Sequence, residues 1–122
     1  MTLPFSTIRN LELLAPLSND EAATTLLSVL DKTLTPMGGR LLKRWLIRPL
    51  TKLEAIHQRL DAVDELVQTN AVRTALVKVL ANIGDMERLI SKICTARANP
   101  RDVLAMKSIL ISVAKIKAAA VG

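Results

Sequence analysis

Apolar residues recur along most of this chain at intervals of three and four, the spacing that lines one face of a helix. Leu26, Leu27, Leu30 and Leu34 form the first such stripe. The Ser18-Asn19-Asp20-Glu21 run ahead of it reads as a capping box, so the pattern predicts a helix from about Asp20 to Leu34. Thr35 then offers an N-cap and Pro36 a first helical residue, where its missing N–H is no loss. A short helix over 37–47 follows, and Pro49 forbids its continuation past Arg48. Thr51-Lys52-Leu53-Glu54 is a second capping box, opening a helix striped by Leu53, Ile56, Leu60, Val63, Leu66 and Val67. Asn70 is the expected cap of a helix through Leu80, with Val72, Leu76, Val79 and Leu80 on its apolar side; Gly84 ends that region. Asp85 caps the next, which turns Met86, Leu89, Ile90 and Ile93 inward. Asn99-Pro100 repeats the cap-plus-proline start and opens a last helix, about Pro100 to Ala120. There Val103, Leu104, Met106, Ile109, Leu110, Ile111, Val113 and Ile116 cover well over half the circumference, so cover is needed from more than one side. Only residues 1–17 break the rhythm. Pro4 and Pro16 bracket a weak alternation, Ile8-Arg9-Asn10-Leu11-Glu12-Leu13, which predicts a short extended leader or lone strand. The expected fold is all-α: a bundle of about five or six helices over residues 18–122 behind that leader.

Charge sharpens the picture around the Pro36 helix. At about 100° per residue, Leu41, Leu42, Trp45 and Leu46 share one half of it, and Arg40, Lys43 and Arg44 share the other. Trp45, Pro36 and Gly38 are the expected structural anchors, with Trp45 turned into the core. Gly38 and Gly39 are poor helix formers, which suggests that another backbone passes close by. Arg40, Lys43, Arg44, Arg48 and Lys52 make the densest charge run, and positions 32–53 contain no acid. Arg40, Lys43, Arg44 and Arg48 are therefore candidates for weak contact with a phosphate backbone. A helix-turn-helix reader fails on detail, because its base-reading positions would be Met37, Gly38 and Gly39.

Composition excludes several classes. Seventeen Lys plus Arg against 11 Asp plus Glu give +6 and a pI near 10.0, which suits an acidic or nucleic-acid partner. Cys94 is the only cysteine, so no intrachain disulfide forms and a reducing, cytoplasmic setting is expected. MTLPFSTIRN lacks the pattern of a signal peptide, and no apolar run approaches the ~18 residues of a membrane span. Reactive groups are scarce, with His57 alone, no tyrosine, and no second His or Cys at ligand spacing, so no metal site is expected. No Gly-x-x-x-x-Gly-Lys-Ser/Thr loop occurs, and Gly38-Gly39-Arg40 does not substitute for one.

Residues 26–50, LLSVLDKTLTPMGGRLLKRWLIRPL, resemble the opening of the core domain of the MutS family of DNA mismatch-repair proteins. Arg9-Asn10-Leu11-Glu12-Leu13, Asp85-Met86-Glu87-Arg88-Leu89 and Ala98-Asn99-Pro100-Arg101-Asp102 extend the likeness, in the family's order, over nearly the whole chain. Gly39 and Met86 stand where Ser and Leu are common. The resemblance implies a helical scaffold relaying between nucleotide-binding and DNA-binding domains, without chemistry of its own. It implies other MutS domains as partners, with DNA bound through the full-length protein, a dimer in that protein, and ATP with Mg only there. Lever, clamp and ATPase domains are not represented, and no catalytic or nucleotide-binding residue carries over. Two alternatives remain beside it: a free-standing basic nucleic-acid-binding module, and a protein–protein adaptor using the over-hydrophobic last helix.

Overall fold

The computed structural model describes residues 1–18 and 24–121. Among them are seven helices and no strand: α1 (Phe5–Asn10), α2 (Leu26–Leu30), α3 (Pro36–Ile47), α4 (Leu53–Gln68), α5 (Asn70–Leu80), α6 (Met86–Cys94) and α7 (Pro100–Val121). The all-α class holds. The residues form two compact units, Met1–Thr33 with Gly38–Asp61, and Leu34–Met37 with Ala62–Gly122.

In the first unit, the expected strand at Ile8–Leu13 is replaced by helix α1 and a tight closure. A lone strand leaves its N–H and C=O groups unpaired, whereas a helical turn pairs them locally. Glu12 adopts φ 47°, with its N–H on the Arg9 carbonyl and the Leu13 N–H on the Ile8 carbonyl. That pair of bonds is a Schellman closure. The Glu12 and Leu13 carbonyls then accept from the N–H groups of Leu26 and Leu27, at 3.2 and 3.0 Å. Those are first-turn donors of α2, which have no partner inside their own helix. Leu13 is buried as a result of this pairing.

Helix α2 is much shorter than the stripe from Leu26 to Leu34 suggested. It starts at Thr25, whose hydroxyl accepts from Ser28 N–H while the Ser28 hydroxyl accepts from Thr25 N–H. Asn19, Asp20 and Glu21, on which the expected cap rested, lie outside the described residues. At its other end, the Asp31 carboxylate accepts from both the N–H and the hydroxyl of Thr33, at 3.0 and 2.7 Å. This side-chain turn offers the backbone an alternative to helix, and α2 stops at Leu30. Helix α3 begins at Pro36 as the sequence indicates, and the Ile47 carbonyl near its end accepts from Leu3 N–H at 3.0 Å. Helix α4 starts at Leu53, two residues inside the expected box at Thr51.

In the second unit, α5 and α6 both pack on α7. Asn70 is the first residue of α5 rather than its cap; Thr69 holds the cap position without a side-chain cap bond. The Thr69 hydroxyl turns back to the Glu65 carbonyl at 2.6 Å instead. Arg73 completes this joint by donating to the carbonyls of Leu66 and Val67, which α4 leaves without helical partners, and to Asn70 Oδ1. Asp85 caps α6 as expected, accepting from Arg88 N–H at 3.2 Å. Ile83 and Ile109 are the buried centre of the unit, and the Gly84 backbone lies beside Ile109. On α7, Met106, Ile109, Val113 and Ile116 form the inward arc. Val103, Leu104, Leu110 and Ile111 are each more than half exposed, in line with the expectation of an uncovered face.

Candidate functional site

Two constellations bring the sequence candidates together. The first lies on α3 and the start of α4. Arg40, Lys43 and Arg44 are exposed on α3, and Arg48 is exposed just past its end. Arg44, Arg48 and Lys52 make no ion pair with a described residue. The Asp31 carboxyl is held below the usual aspartate range by the Thr33 hydroxyl and N–H, with lesser help from Lys43 and Lys32.

Trp45 is not a core residue. It is 41% exposed, and the Arg59 guanidinium carbon sits 3.7 Å from its ring centroid. This is cation–π stacking, and it places a charge where aliphatic packing was expected. Burial divides the apolar half of α3: Leu42 and Leu46 are half-buried while Leu41 and Trp45 are exposed, which leaves the Trp45 ring to Arg59. Trp45, Pro49, Leu50, Ile56, Arg59 and Leu60 line a shallow pit of about 270 Å³. Arg59 was not singled out from sequence, because nothing in its neighbourhood announces a partner on another helix.

Of the other anchors, Pro36 opens α3 and Gly38 is half-buried in its first turn. At Gly39, an added Cβ would lie 3.3 Å from Thr33 Oγ1 and 3.6 Å from Asp31 Oδ2. The close neighbours there are side-chain atoms, not the passing backbone that the glycine pair suggested.

The second constellation joins α6 to α7. Asn99 Oδ1 accepts from Asp102 N–H at 2.9 Å, and Asp102 Oδ2 accepts from Asn99 N–H at 3.0 Å. This reciprocal cap leaves Asp102 Oδ1 for Lys92 Nζ of α6, at 2.9 Å. The Asn99 N–H, then the Lys92 ammonium, hold the Asp102 carboxyl below its usual range. Helix α6 itself ends in a second Schellman closure, with Ala96 at φ 55°. Arg97 N–H reaches the Lys92 carbonyl at 2.8 Å, and Ala96 N–H reaches that of Ile93.

Among the described residues, no group of three or more His, Cys, Asp or Glu side chains is placed to hold a metal ion, and no helix is long and apolar enough to cross a membrane. Cys94 is exposed on α6.

Comparison with known proteins matches residues 6–121 to the family model of MutS domain III. The DNA mismatch repair protein MutS of Chlorobaculum parvum is 43% identical over 118 residues, covering 97% of this chain and 14% of that protein. Those of Syntrophomonas wolfei and Solibacter usitatus are 46% and 47% identical, over 98% and 96% of this chain. The chain thus spans 14% of the length of these three curated relatives. The residues matched by the family model take in α2 to α7 and nearly all of α1, with both constellations, and the chain belongs to the MutS domain III family.

Proposed function

We propose that this chain is the helical scaffold at the start of the core of a cytoplasmic MutS-type mismatch-repair protein. In this reading it relays movement between the longer protein's nucleotide-binding and DNA-binding domains and performs no chemistry itself. ATP and Mg are handled elsewhere in that protein, which binds DNA as a dimer. The observation that carries the reading is what the motif residues do in this fold. Asp85 caps α6, Asn99 and Asp102 cap α7, and Lys92 bridges the two helices through Asp102. These motif groups spend their hydrogen bonds on capping and joining helices.

The test is Asp102→Ala in the longer polypeptide. Basal ATP turnover is expected to persist, while its response to mismatched DNA falls severalfold; an unchanged response refutes the relay. The isolated chain, with Arg40, Lys43, Arg44 and Arg48 as its phosphate contacts, should bind duplex weakly and lose that binding steeply with salt. Clear preference for a mismatched duplex contradicts the scaffold reading.

A further inference from the structure

We infer that the pit at Trp45 is a docking site for an acidic segment bearing a bulky apolar side chain, supplied by another domain of the longer polypeptide. The inference rests on the scaffold reading above and names a partner for it. Two features of the surface require different things from an occupant. The pit itself is apolar: Pro49, Leu50, Ile56 and Leu60 surround the Trp45 ring, and Leu60 is 58% exposed. Apolar surface of this kind is stabilised by removal from water. Arg59 is the one charged side chain among the residues that line it, and the segment leading into Pro49 and Leu50 is basic. Lys32, Arg40, Lys43, Arg44, Arg48 and Lys52 fall in a stretch without an acid, and Arg59 lies over the ring. Since Arg44, Arg48 and Lys52 pair with no described residue, their mutual repulsion is relieved by an anionic partner.

A hydrocarbon side chain among carboxylates answers both requirements. It fills the pit against Trp45 while the carboxylates reach Arg44, Arg48 and Arg59, whose guanidinium groups form paired bonds to carboxylate. Nucleic acid answers only one. Its phosphates suit the cations, but a base entering the pit meets aliphatic walls and a ring already covered on one face by Arg59. A second copy of the chain fails on charge, because it brings another net charge of +6 to a basic part of the molecule.

Trp45 is the only tryptophan and there is no tyrosine, so intrinsic fluorescence reports on this pit alone. The 122-residue chain is titrated with a glutamate-rich helical peptide carrying two leucines, with the same peptide carrying serines instead, and with a single-stranded oligonucleotide of equal charge. The leucine peptide is expected to shift Trp45 emission to the blue and to cut acrylamide quenching severalfold. Arg44→Ser with Arg48→Ser, both at exposed positions, should weaken that response about tenfold without altering the helical signal. An equal response to the serine peptide or the oligonucleotide, or no response to the leucine peptide, overturns the docking. The source is tested in the longer polypeptide with its other tryptophans replaced by phenylalanine. There Trp45 should already be shielded, with quenching severalfold below that of the isolated chain. Equal quenching overturns docking within the polypeptide, and leaves the relay to stand or fall on the Asp102 variant.

Discussion

Replacing Ala96 by glycine should stabilise this chain, which is unusual for a helix-to-loop substitution and follows from one backbone angle. Ala96 closes α6 at φ 55°, in the left-handed region. There a Cβ crowds the following carbonyl, at about 1–2 kcal/mol for a residue other than glycine. Glycine removes that term but loses more backbone freedom on folding, roughly 0.5–1 kcal/mol against alanine. Ala96 is exposed, so its methyl group contributes little packing. Both closing bonds use backbone atoms, Ala96 N–H to Ile93 and Arg97 N–H to Lys92, and survive the change. The net expectation is a gain of about 0.5–1 kcal/mol, or a few degrees in Tm for a domain of this size. Urea melts followed by circular dichroism measure it directly. Glu12→Gly is the internal control. Glu12 has φ 47°, but its carboxylate also accepts from Leu17 N–H at 2.7 Å, so the same relief is offset by a lost hydrogen bond. A destabilised Ala96→Gly, or a larger gain at Glu12 than at Ala96, refutes the strain argument.

Three further outcomes follow from the same geometry. Thr25→Ala removes the reciprocal cap of the five-residue α2 and should cost about 1 kcal/mol in a denaturant melt, whereas Thr25→Asn should retain most of it. Because the Asp102 carboxyl is depressed when folded, its contribution is present above the unfolded aspartate range and is lost as pH falls through the lower folded value. Asp102→Asn should therefore flatten the acid limb of stability below the unfolded aspartate range; an unchanged limb contradicts the Asn99 and Lys92 bonds. Trp45→Ala should cost no more than about 2 kcal/mol, since the ring is partly exposed and an exposed cation–π contact contributes roughly 0.5–1 kcal/mol. A loss near 4 kcal/mol in the same melts would return Trp45 to the core.

The sequence by itself determined the all-α class, the start of α3 at Pro36, the Asp85 cap and the opening of α7 at Asn99-Pro100. Proline geometry and side-chain caps act within three or four residues, so local spacing suffices to read them. It also determined the family, through several motifs in order along the chain. Tertiary structure decided what depends on distant partners. The Glu12 and Leu13 carbonyls meet the first turn of α2, so a stretch that alternates like a strand folds as a helix and turn. The Asp31 and Thr33 bonds end α2 before its apolar stripe does. A wheel shows which half of α3 is apolar, but not that Leu42 and Leu46 turn inward while Arg59 arrives over Trp45. That contact lies 14 positions away in sequence (59 minus 45), beyond the reach of any helical period. Asn99-Pro100-Arg101-Asp102 announced a cap, yet only the packing of α6 on α7 gave the spare Asp102 oxygen to Lys92. An ion pair between helices needs both side chains at one place, and local pattern carries no record of that.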